Sequence, residues 1–176
     1  MPVLKRTLLL FWAAWLSAVA TTNVLDGLWA LGALPESFKF VSGNWHWINQ
    51  VMDPLGIPRG LQAPLYVGAI AWEALGALLF WWAVASYRGR PLVQEKATVV
   101  ACSVNLALWS AFQVLDEVVL AYQPEGVHRM IFVSQIATLL LLERLPTPAC
   151  QPGMIEADVI QAGGDPVAPE LGPHRV

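Results

Sequence analysis

Apolar and polar positions fall in long blocks along this chain, and the cleanest apolar block runs from Pro64 to Tyr87, PLYVGAIAWEALGALLFWWAVASY. About 24 residues with no internal proline, rising about 1.5 Å each, cross a hydrocarbon core of about 30 Å as one helix. Glu73 is the only acidic or basic residue in this block and lies roughly 14 Å from its start, near mid-bilayer. A carboxyl at that depth needs a partner, a proton or a function. Three further blocks read as spans: Thr7 to about Leu34, broken by Thr21, Thr22, Asn23 and Asp26; Ala97 to about Tyr122; and Val127 to about Leu142. The last two are joined by Gln123-Pro124-Glu125-Gly126, read as a tight turn, and the short fourth block is expected to begin in the headgroup layer. The predicted fold is therefore an all-α membrane protein: an antiparallel bundle of four transmembrane helices over residues 1–144, with a structured outer loop and an irregular C-terminal tail.

The outer loop, 35–63, is too long for a tight helix hairpin and should carry structure of its own. Asn44 can cap a short helix through Met52, ended at Asp53-Pro54, with Trp45, Trp47, Ile48 and Val51 as interfacial anchors. Such a loop would cover the mouth of the bundle. The start of the chain also mimics a secretory signal, with Lys5 and Arg6 ahead of an apolar run and Ser17-Ala18-Val19-Ala20 resembling a cleavage site. Because the apolar run continues past Ala20 to Leu34, it reads instead as a retained first span. The tail, 145–176, is rich in Pro and Gly and cannot build a core; Met154 to Ile160 is apolar enough to add a strand to, or dock on, a partner.

Composition agrees with a membrane class: 56% of the 176 residues are hydrophobic and 13% charged. A net charge of −3, with no run of Lys or Arg, offers no phosphate-binding surface and sets nucleic acid aside as a partner. Cys102 and Cys150 form no CxxC pair and read as inert thiols. An N-terminus inside places Lys5, Arg6, Arg88, Arg90, Lys96 and Arg144 on the cytoplasmic side, against Lys39, Arg59 and Arg129 outside. Both termini are thus expected in the cytoplasm. No internal repeat supports an inverted-repeat transporter.

On that topology the polar groups gather in the outer half. Asn23 and Asp26 close the first span, Glu73 is central in the second, and Gln113, Asp116 and Glu117 lie near the end of the third. His128 and Arg129 open the fourth. Ala14, Ala18, Thr22 and Asp26 follow at i+4 and are read as a small packing face, matched by Ala69, Glu73, Gly76 and Ala77 on the second span. On the third, Ser103, Ser110, Gln113 and Glu117 share a stripe, with Asp116 about 100° away beside Trp109 and Asn105; on the fourth, His128, Gln135 and Thr138 share a face. The plain structural reading is interhelical glue, with Glu73 bonded to Asn23 or Gln113 and Arg129 pairing with Glu117 or Asp26. The sharper readings are a metal site from Asp26, Glu117 and His128, or a proton or cation path using Asp26, Glu73 and Glu117. His46, between two tryptophans, reads as interfacial.

The strings Asn23-Val24-Leu25-Asp26, Phe38-Lys39-Phe40-Val41, Asn49-Gln50-Val51-Met52, Leu65-Tyr66 and Trp72-Glu73, with Glu117 and Arg129, resemble a family of predicted small bacterial integral membrane proteins with four spans. The resemblance covers roughly residues 20–144 and implies a topology but no activity. It singles out Asp26, Glu73, Glu117 and Arg129. No nucleophile-base pair, phosphate loop or bis-His haem pattern stands out in the spans. The expected function is a non-catalytic accessory subunit of a larger membrane complex, respiratory or photosynthetic, in contact with lipids and other integral subunits. The alternatives are a small proton or cation transporter, and a membrane enzyme with a metal at the outer mouth.

Overall fold

The computed structural model describes residues 2–87 and 91–145; the tail, including Cys150 and the segment from Met154 to Ile160, lies outside the described residues. These residues form an all-helical integral membrane protein with four helices long and apolar enough to cross a bilayer. They are α1 (Pro2–Ala30), α3 (Arg59–Ser86), α4 (Pro91–Val118) and α5 (Tyr122–Arg144), with the short α2 (Asn44–Met52) and a 3-10 turn at Asp53–Leu55 between α1 and α3.

Helix ends depart from the hydropathy blocks for a shared local reason. At the end of α1, Gly32 takes a left-handed φ of 73°. The Ala33 N–H then reaches the Leu28 carbonyl and the Gly32 N–H that of Trp29, both at 2.9 Å. This paired capping pattern stops α1 at Ala30, although apolar residues continue to Leu34. Leu120 plays the same part after α4: at φ 56° it lets the Ala121 N–H reach the Asp116 carbonyl at 2.7 Å. The chain therefore turns at 119–121, and Pro124 lies in the first turn of α5, where a proline's missing N–H costs little. The fourth span thereby gains a turn over its apolar block. Similarly, α3 begins at Arg59 behind an extended Pro58, with Pro64 inside its second turn.

Neighbours in sequence are neighbours in space: α1 packs on α3, α3 on α4 and α4 on α5, while α2 lies across α1 and α3. The Trp12 indole donates to Thr138 Oγ1 at 3.1 Å, tying α1 to α5. Trp15 and Trp109 meet at 5.8 Å between α1 and α4. The apolar core is built around Leu9, Trp12, Leu16, Phe80, Leu108 and Trp109. Gly76 on α3 is pressed against the buried Asn105 of α4, so closely that an added Cβ would stand 2.5 Å from Asn105 Oδ1. A small residue at that crossing is what lets the two helices approach.

Two expected packing faces are displaced. On α1 the buried stripe runs through Leu9, Trp12, Ala13, Leu16, Ala20 and Asn23, leaving Ala14 and Ala18 exposed. On α4 the buried side carries Asn105, Trp109 and Asp116, whereas Ser103 and Glu117 face outward. In both helices most of the buried positions carry larger side chains, which gain more dispersion contacts in the bundle than alanine or serine would; in lipid, packing rather than removal from water decides this.

Candidate functional site

The buried polar groups concentrate at the end of the bundle that α2 covers, and Asp26 organises it. Its Oδ1 accepts from the Gly43 N–H at 3.1 Å, and its Oδ2 from the Trp45 N–H at 2.7 Å. Gly43 is the N-cap of α2 and makes no side-chain cap of its own. Asp26 therefore caps α2 from another helix, placing a carboxylate at the positive end of the α2 dipole. The Tyr66 hydroxyl on α3 adds a contact of 2.8 Å to Asp26 Oδ2 and also lies 3.1 Å from the Asn23 carbonyl. Three elements thus meet on one side chain that is 3% exposed.

One turn back on α1, Asn23 is a relay. Its Oδ1 accepts from Asn44 Nδ2 at 2.8 Å, and its Nδ2 donates to Glu73 Oε2 at 2.7 Å. Asn44 is the first residue of α2 and not its cap, so its side chain is free to make this bond. Across the bundle, Asp116 of α4 and His128 of α5 meet at 2.6 Å through His128 Nδ1, with the imidazole stacked on Phe112 at 4.9 Å.

Between these two groups lies a chamber of about 390 Å³. The underside of α2 roofs it with Trp47, Ile48, Val51 and Met52, and the walls come from Leu65, Tyr66 and Ala69 of α3, Trp109, Phe112 and Leu115 of α4, and Val127 of α5. Glu73 and Asn23 border it on one side, Asp116 and His128 on the other. Glu73, centrally placed in α3, marks the deep end, while Asp116 and His128 lie near the helix ends. Mostly apolar walls, a few convergent polar groups and this volume are the attributes of a small-molecule site.

Where α2 hands over to α3, Asp53 accepts from Gln62 Nε2 at 2.8 Å and from Arg59 at 2.7 Å. The Gln62 amide, and then the Arg59 guanidinium, hold the Asp53 carboxyl below its ordinary value. This latch fixes the far end of the lid.

Of the residues expected in the cluster, Asn23, Asp26, Glu73, Asp116 and His128 lie at this end, and three others do not join them. Gln113 donates to the Trp109 carbonyl of its own helix. Glu117 is exposed. Arg129 is exposed too and pairs with Glu125 one turn earlier on α5, because an i,i+4 partner is nearer than Asp26 or Glu117. The candidate metal ligands Asp26, Glu117 and His128 do not converge; among the described residues no three His, Cys, Asp or Glu side chains stand ready for one ion. Asn44, expected to cap α2, is instead its first residue and bonds Asn23, and Tyr66, which the sequence marks only within Leu65-Tyr66, reaches Asp26. Tyr66 sits seven residues before Glu73, two helical turns away on the same face, and that spacing was the available signal. No family model, no curated protein and no solved structure matches this chain.

Proposed function

We propose that this protein is a non-catalytic, ligand-holding subunit of a membrane assembly, and that the chamber beneath α2 retains one small amphiphilic molecule. The observation that carries this is the chamber itself: about 390 Å³, roofed by an apolar helix face and bordered by Glu73 and by the Asp116–His128 pair. Its mostly apolar lining favours a lipid-soluble occupant over a hydrated ion, and Asp26 holds α2 in place over it. The transport and metal-enzyme readings draw less from the geometry, because Asp26 is occupied in capping α2 and Glu117 stands on the surface.

The distribution of Lys and Arg supports placing the α2 end outside and both termini in the cytoplasm, and the resemblance to small bacterial four-span proteins supports an inner-membrane setting. Exposed apolar side chains along α5, among them Val127, Met130, Val133 and Leu140, suit lipids or neighbouring subunits. Two measurements test the proposal. Organic extraction of purified protein followed by mass spectrometry should yield one stoichiometric amphiphile, lost in Ala69→Trp, whose ring fills the chamber. Mild solubilisation should recover defined membrane neighbours. A folded wild-type protein that carries no amphiphile and takes up none when offered overturns the binding role, and a lone monodisperse particle overturns the subunit role.

A further inference from the structure

We infer that the chamber's ligand is a lipophilic amine, held as its ammonium ion by Glu73 with its apolar body against the aromatic wall. This rests on the binding role proposed above and adds the chemical class. Among the described lining residues the ionisable groups other than Tyr66 are Glu73, Asp116 and His128, so two carboxyls border the space and no Lys or Arg does. An anionic head would meet two carboxyls, and His128, the basic side chain among the lining residues, already engages Asp116 at 2.6 Å. A donor head is favoured instead.

Glu73 is the acceptor that remains. Among the described residues its one hydrogen bond comes from Asn23, to Oε2, at 2.7 Å. Asp26, by contrast, already receives two backbone N–H groups and the Tyr66 hydroxyl. A carboxylate held on one side by a neutral amide, at the deep end of an apolar space, is completed by a cation that brings its own hydrogen-bond donors. Trp47, Trp109 and Phe112 line the same space and offer apolar area to the ligand's body. Amine and alcohol can both donate to Glu73, but only the amine also brings a charge opposite to that of a carboxylate.

The test is binding to full-length protein in lipid nanodiscs of three probes sharing one body: dodecylamine, dodecanol and dodecanoate. Wild-type protein should prefer the amine to the alcohol at least tenfold and show no saturable uptake of the carboxylate. Glu73→Gln keeps an oxygen for the Asn23 amide, so the relay survives; it should weaken amine binding tenfold or more and change alcohol binding less than threefold. Ala69→Trp should abolish both. Equal affinity for amine and alcohol, or an amine affinity insensitive to Glu73→Gln, overturns the amine assignment and leaves the binding role standing. Failure of all three probes to saturate wild-type protein, with no endogenous amphiphile on extraction, overturns both.

Discussion

Replacing Asp26 with alanine should release the lid before it loosens the bundle. Three donors end on this carboxylate: the Gly43 and Trp45 amides at the start of α2 and the buried Tyr66 hydroxyl. Loss of an N-cap acceptor costs about 0.5–2 kcal/mol, and a buried hydroxyl left facing no acceptor costs about 1–3 kcal/mol. The Tyr66 share is reduced, because the Asn23 carbonyl at 3.1 Å remains as a second acceptor. A total of about 2–4 kcal/mol follows, of which the lid carries about 1–2 kcal/mol. A lid term of that size raises local opening about 5- to 30-fold. Hydrogen exchange in nanodiscs should therefore accelerate by this factor across 43–52 in Asp26→Ala, with the interiors of α3 and α4 almost unchanged. Asp26→Asn retains one acceptor oxygen and should fall between. Unaltered exchange over 43–52, together with a cooperative loss of protection in the spans, would refute the capping role and make Asp26 a bundle residue.

Leu120 is strained in the left-handed region and 61% exposed, so Leu120→Gly should raise stability by about 1 kcal/mol, read as a higher Tm; a lower Tm would show that the Leu120 side chain matters more than its φ. Gly76→Ala forces the added methyl onto Asn105 and should cost about 1–3 kcal/mol, and Asn105→Ala in the same chain should recover much of it, whereas simple additivity would place the clash elsewhere. Asp53 has a folded-state pKa below its unfolded value, so its latch contributes stability above the unfolded value and loses it as pH falls through the folded one. An NMR titration of Asp53 should show that depressed midpoint, and Gln62→Leu should move it upward; an unmoved midpoint would assign the shift to Arg59 alone.

Hydropathy alone locates the four spans, since a bilayer demands about 20 apolar residues per crossing and few other sequences supply them. The ends of those spans resist the same reading. Gly32 and Leu120 each stop a helix inside apolar sequence through backbone geometry, and a leucine in the left-handed region carries no compositional mark. Depth along each helix was legible from 1.5 Å per residue, which is why Asn23, Asp26, Glu73, Asp116 and His128 could be grouped. Rotation was not. In lipid both sides of a helix are apolar, so periodicity does not tell Trp109 from Ser110 or Leu16 from Ala18, and volume and packing decide. Arg129 shows the complementary failure: a plausible partner across the bundle loses to Glu125 on the same helix.

Donor supply separates the acids that hold this protein together from the one that can take a ligand. Asp26 sits beside a helix N-terminus and a tyrosine, and every donor it needs comes from the fold. Asp116 has His128, and the aromatic stack with Phe112 orients that imidazole. Among the described residues Glu73 has only the amide of Asn23, and Asn23 in turn is held by Asn44 of the lid. The carboxyl with the least internal support is thus the one tied to the roof: Asn44 of α2 holds Asn23, and Asn23 supplies the hydrogen bond that orients Glu73. Entry of a ligand under α2 and the aim of the group proposed to receive it are therefore mechanically linked through Asn23. Asn23→Leu should break that link, lowering amine affinity while leaving the Asp26 cap, and with it the exchange protection of 43–49, in place.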